Sequence, residues 1–216
     1  MAGDKTLEEP KIKREKTVTA IFPTAFLGPI EYYAQLKKHP NALLEIHEHF
    51  PKQTFRTRTE IYGANGKLNI SLPLQRKKFE HTSISKMRIS YDEPWQTLLW
   101  RSITAAYRSS PFFEYYENEL EKLIYAKPEF LLEYNTPLHQ WICNKLKLES
   151  TFTPTAEYHK TYENVIDFRS ALHLKKGPAF SHPEYMQVFS NKLGFIPNLS
   201  IIDLLFNEGP HGSSIL

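Results

Sequence analysis

Two apolar, β-branched segments flank a short helical period between residues 17 and 46, and this spacing constrains the fold more than any other feature of the chain. Residues 17–22 read Thr-Val-Thr-Ala-Ile-Phe and stop at Pro23, the pattern of a buried strand. After a loop holding Gly28 and Pro29, Ile30, Tyr33, Ala34 and Lys37 recur at helical spacing, and the helix ends before His39-Pro40. Residues 42–46 supply a second strand. A strand, helix and strand within about 30 residues form a βαβ unit, so the two strands are expected to be parallel.

The next pattern is a hairpin. Residues 59–62 and 67–72 flank Gly63-Ala64-Asn65-Gly66, whose Asn-Gly pair is suited to the positive φ angles of a chain reversal. Leu68, Ile70 and Leu72 alternate with polar residues, which predicts one buried face. Residues 84–89 add a weak strand signal. From Asp92, a candidate helix cap, the period changes to 3.6: Trp95, Leu98, Leu99, Ser102, Ile103 and Ala106 form one stripe. Ser110-Pro111 and Lys127-Pro128 start two more helices, the second kinked or divided at Pro137. Residues 150–185 lose periodicity and read as a long surface loop of the kind that often carries function. A strand at 185–189 and a last helix through residues 201–206, capped by Asn198 or Ser200, complete the reading. The expected fold is therefore α/β: a small mixed sheet, made of the N-terminal βαβ unit and the hairpin, against a layer of about four helices.

The 216 residues, 41% hydrophobic and 24% charged, suit one globular domain over 17–216. Residues 1–16 hold nine charges and no apolar run, which reads as a disordered lead-in without a secretory signal. With no apolar run of membrane-spanning length, a soluble cytoplasmic protein is expected. The single cysteine, Cys143, beside Trp141 and Ile142, reads as a buried core thiol.

Net charge is only +3, but residues 51–90 hold nine Lys and Arg against Glu60 and Glu80. This local excess directs attention to an anionic partner. Lys52, Gln53, Arg56 and Arg58 lie together, and in an extended chain Arg56 and Arg58 face one way, offering two guanidinium forks to one anion. A solvated positive face explains them equally well, and Arg76-Lys77-Lys78 reads as a solvated loop. Just upstream, His47 and His49 alternate with Glu48. Two imidazoles without a third ligand read as a polar strand edge, and no metal site is expected. Phosphate-loop, dinucleotide, zinc-protease and nucleophile-elbow motifs are all missing, so no cofactor is expected. In the last helix Asp203 and Asn207 share a face, a polar stripe on an otherwise apolar segment.

At these two segments the chain resembles the WbqC-like proteins, a bacterial family often found in surface-polysaccharide biosynthesis clusters. The run from Phe195 to Pro210 is similar to that family's closing motif. Lys52-Gln53-Thr54-Phe55-Arg56-Thr57-Arg58, followed by Ile61 and the hairpin turn, is similar to its basic segment. The likeness spans roughly residues 18–210. It implies an α/β enzyme of glycan or amino-sugar metabolism, possible chemistry being acyl or aminoacyl transfer. Lys52, Gln53, Arg56, Arg58, Asn198 and Asn207 would bind an anionic small molecule such as a sugar nucleotide, with Glu48 or Asp203 as general base; nucleic acid is not an expected substrate. Family members commonly carry His-Gln-Pro at the end of the first strand, where this chain has Ile21-Phe22-Pro23. That departure motivates the alternative, a non-catalytic binding or scaffold protein whose basic surface holds a protein, RNA or another polyanion.

Overall fold

A computed structural model describes residues 19–75, 82–171 and 180–216; the charged lead-in at 1–16 and the Arg76-Lys77-Lys78 loop lie outside the described residues. The N-terminal unit forms as its spacing predicts. Strand β1 (Thr19–Pro23) and strand β2 (Asn41–Glu45) pair in parallel, Ile21 opposite Leu43, with helix α1 (Ile30–Lys38) between them in sequence. Ala20, Ile21 and Phe22 are wholly buried, which is why this segment reads as an unbroken apolar run.

The hairpin consists of β3 (Arg58–Gly63) and β4 (Gly66–Ser71), and it stands as its own two-stranded sheet. Its turn corrects one expectation: Gly66 alone takes a positive φ, +106°, while Asn65 stays in the ordinary region. Burial corrects another. Leu68 on β4 is 40% exposed, and the hairpin is anchored instead by Thr59, Ile61 and Tyr62 of β3 and by Leu72 just beyond β4. Residues 84–86 form a 3₁₀ turn between isolated bridges, and no continuous strand runs through 84–89.

Three helices follow: α2 (Trp95–Tyr107), α3 (Phe113–Tyr125) and α4 (Leu131–Lys145). Asp92 does not cap α2. Its carboxylate accepts from the Ser90 hydroxyl at 2.8 Å, and Pro94 precedes the helix. Nor is α4 divided at Pro137, since burial of Tyr134, Asn135, Leu138, Trp141 and Ile142 holds one continuous helix.

The stretch read as a long loop contains two strands, β5 (Thr151–Pro154) and β6 (Val165–Asp167), which complete a four-stranded parallel sheet in the order β5-β2-β1-β6. At four and three residues, both are too short and too exposed to show an apolar pattern. Their ladders depend on β1 and β2 already being in place. Beyond them, residues 185–189 form no strand; α5 (Ser190–Leu193), α6 (Ile201–Glu208) and α7 (Gly212–Ile215) close the chain. Helices α2, α3, α4 and α6 form the expected layer, and one apolar cluster runs from Ala20 to Phe206. Cys143 belongs to it, its thiol pushed up to about 12 by burial. Among the described residues, no helix is long and apolar enough to cross a membrane.

Candidate functional site

In an open parallel sheet, ligands gather beyond the carboxyl ends of the strands, where successive connections leave in opposite directions. Here that place is the edge shared by β1 and β6, because β2 lies on one side of β1 and β6 on the other. The loops leaving the strands bring five charged side chains together at this edge.

Glu45, the last residue of β2, is wholly buried. Its Oε1 accepts from the amides of His47 and Glu48 (2.8 and 3.2 Å) and from the Thr155 hydroxyl at 3.1 Å. Its Oε2 accepts from Arg169 Nη1 at 3.1 Å. Glu45 thus folds the 46–48 loop around its own carboxylate. Arg169, two residues past β6, also grips both oxygens of Asp167, and its guanidinium lies 5.3 and 5.1 Å from the ring centres of Tyr158 and Tyr162. The carbonyls of His159 and Lys160 accept two further bonds from it, at 2.8 and 3.2 Å. The loop between β5 and β6 is therefore laid over Arg169 by aromatic faces and main-chain acceptors together.

Beside this cluster Arg56, 2% exposed, donates through Nε and Nη2 to the two oxygens of Glu48 at 2.7 and 2.8 Å. Nη2 also reaches the Arg169 carbonyl at 3.0 Å. Two parallel charge-assisted bonds fix the carboxylate in one orientation. Burial nonetheless raises the Glu48 pKa above the ordinary carboxylate range, outweighing the lowering effect of Arg56. At Asp167 the balance goes the other way: burial pushes up, but the hydrogen bonds and charge of Arg169 hold the carboxyl below its usual value.

A pocket of about 290 Å³ opens over these groups, with Glu48, Arg56, Asp167 and Arg169 in its walls and Lys52, Tyr158 and Lys160 among its lining. Its floor sets two carboxylates, Glu48 and Asp167, against two guanidiniums, Arg56 and Arg169. Lys52 and Lys160 are exposed and have no ion-pair partner among the described residues. The result is a cationic mouth above a charge-balanced floor, a polarity suited to a ligand with an anionic portion at the mouth.

Of the residues the sequence singled out, Glu48, Lys52 and Arg56 meet here. Arg56 and Arg58 do not share an anion as the extended-chain reading expects. The chain turns at residues 54–57, so Arg56 is spent on Glu48 while Arg58 opens β3 and, with Gln53, lines a separate shallow pocket of about 300 Å³. His47 points its Nε2 at the Thr155 carbonyl (3.0 Å), and His49 bridges to Ser83. Among the described residues, no group of three or more His, Cys, Asp or Glu is placed to hold a metal.

The closing segment does different work. Asn198 is no cap for α6: its Oδ1 accepts from the Glu31 amide at 2.8 Å and so caps α1, whose preceding residue, Pro29, makes no side-chain cap bond. Ser200 gives its hydroxyl proton to the Leu27 carbonyl at 2.8 Å. Asp203 is wholly buried; its Oδ2 accepts from the Tyr185 hydroxyl at 2.5 Å and from Gln187 Nε2 at 2.9 Å. Burial raises its pKa to about 6, against the lowering effect of these donors. Asn207 Nδ2 bonds the Asp203 carbonyl at 2.7 Å, which accounts for the polar stripe.

Sequence reasoning missed Glu45, Thr155, Tyr158, Lys160, Asp167 and Arg169. All but Glu45 lie in the aperiodic stretch, whose length was the one available signal. Comparison with protein-family profiles matches residues 24–177 and 178–215 to the WbqC-like protein family. Neither the curated proteins nor the solved structures contain a match.

Proposed function

Because this chain belongs to the WbqC-like protein family, we propose that it is a cytoplasmic enzyme of cell-surface glycan or amino-sugar metabolism that transfers an acyl or aminoacyl group at the Glu48 pocket. The observation that carries this reading is Glu48 itself. It lines an open pocket at the carboxyl edge of a parallel sheet, is oriented by a buried guanidinium, and has a pKa raised toward the range of a working base. Asp203, the other carboxylate considered for this role, is enclosed by Tyr185 and Gln187.

In the proposed reaction the acceptor's amine or hydroxyl enters beside Glu48. Its nitrogen or oxygen bonds to the acyl carbon as Glu48 takes the proton, and the bond from that carbon to the leaving group breaks with its electron pair. Lys52 and Lys160 offset the charge of an anionic substrate portion at the mouth. Arg56 and Arg169 position the carboxylate and the covering loop.

The test is a thermal-shift panel of nucleotide-sugars and acyl carriers, followed by transfer assays on any pair that binds. Glu48→Gln should keep ligand binding and lower transfer by about 10²- to 10⁴-fold, the usual contribution of a general base. No stabilisation anywhere in the panel, or full activity in Glu48→Gln, overturns the proposal. Salt-sensitive retention of RNA with an empty panel would favour the scaffold reading instead.

A further inference from the structure

A second cavity, of about 340 Å³, lies between α4 and the β2–β5 side of the sheet, and its chemistry is the opposite of the Glu48 pocket. Leu44, Leu132 and Phe152 supply apolar wall, with Thr24, Asn135 and His139 as polar points, and among the described residues no Asp, Glu, Lys or Arg lines it. His139 is wedged between the rings of Tyr33 and Phe152, at centroid distances of 5.7 and 4.8 Å. Burial drives its pKa down to about 4, so the imidazole is neutral at physiological pH.

Two lining residues each hold a covered oxygen without a partner among the described residues. Asn135 uses its Nδ2 on Thr24 Oγ1 (3.1 Å) and on the Arg56 carbonyl (3.0 Å), while its Oδ1 has no hydrogen-bond partner among the described residues. Ser150 Oγ, also in the lining, has none either. A water-sized probe touches neither oxygen, so both are covered by neighbouring atoms and neither is offered to a guest in the cavity. A charged guest would lose its hydration here with no counter-charge to replace it.

We propose that this cavity is a binding site for an uncharged, largely apolar group of the size of a short carboxamide, whose chain the apolar wall would take. Asn135 also holds the Arg56 carbonyl, so the neutral site and the charged pocket are braced by one side chain. The cavity's occupancy does not depend on Glu48 chemistry.

Titration of the full chain with pentanamide, pentanoate and pentylammonium, followed by saturation-transfer NMR, tests this directly. Pentanamide should bind at least about tenfold more tightly than either ion. Thr136→Trp, at an exposed position of the lining, and Leu132→Trp should each fill the cavity and weaken pentanamide by about tenfold or more, with cooperative thermal unfolding as the check on folding. If one variant fails to fold, the other decides. Absence of saturable pentanamide binding, equal binding of the ions, or unchanged affinity in a folded Trp variant overturns the assignment. These outcomes are read without nucleotide-sugar or transfer, so they are separate from the fate of the Glu48 proposal.

Discussion

Glu48 and Asp203 are both buried carboxylates with raised pKa values, yet one faces a pocket and the other is sealed in the core. Glu48 is held by a full opposite charge, Arg56, at the ends of the strands, where a pocket opens. Asp203 is held by neutral donors, Tyr185 and Gln187, reaching in from the segment that leads into α5 and α6. The lesson is that burial and a shifted pKa do not by themselves mark a reactive group. What separates the two is access: both Glu48 oxygens are held by Arg56 yet the residue lines a pocket, whereas Asp203 is wholly buried, with its Oδ1 unpartnered among the described residues.

The sharpest way to break this comparison is to remove the opposite charge. Arg56→Ala should cost about 3–5 kcal/mol in urea unfolding, because it strands Glu48 in a buried place without a partner. A loss below about 1 kcal/mol would mean the pair behaves as a surface bridge and that Arg56 is available to a ligand after all.

Asp203 should instead reveal itself through pH. Its folded pKa, about 6, lies above the ordinary 3.8, so the folded protein keeps a proton that the unfolded chain has released. The stabilising contribution is present below pH 3.8 and is lost as pH rises through 6. Relative to Asp203→Asn, which cannot titrate, the wild type should lose roughly 3 kcal/mol across that window. Denaturation midpoints of both proteins from pH 4 to 7 check this, and parallel curves would show that Asp203 ionises normally.

Asn198→Ala should cost about 1 kcal/mol, the usual value of a helix cap, and should speed hydrogen exchange at the Glu31 amide. The smallest stability change belongs to Lys52→Ala and Lys160→Ala. Both are exposed and unpaired among the described residues, so each should move stability by less than about 0.5 kcal/mol while weakening an anionic ligand most at low salt. Equal ligand affinity in wild type and both variants would remove the cationic mouth from the site.

Much of the scaffold was legible in the chain. The buried run before Pro23, the helical period from Ile30 and the stripe from Trp95 are local patterns, and each becomes the element its period predicts. The basic cluster was legible as composition but not as geometry. Nothing in the residues themselves shows that the chain turns at 54–57 and gives Arg56 to Glu48 while Arg58 enters the hairpin. Asn198 and Ser200 were recognised as capping residues, yet Asn198 caps a helix 167 residues away in sequence.

By itself, then, the sequence determined the parallel βαβ start, the hairpin, the helical layer and the family, because periodicity and turn chemistry act over a few neighbouring residues. Only the tertiary structure decided that β5 and β6 exist, that Glu45, Asp167 and Arg169 meet Glu48 and Arg56 at one edge, and that Asp203 stands apart from them. The short edge strands and the Arg169–Glu45 ion pair gain their stability from partners more than a hundred residues away, 124 in the case of Arg169 and Glu45, and no local pattern records such a partner.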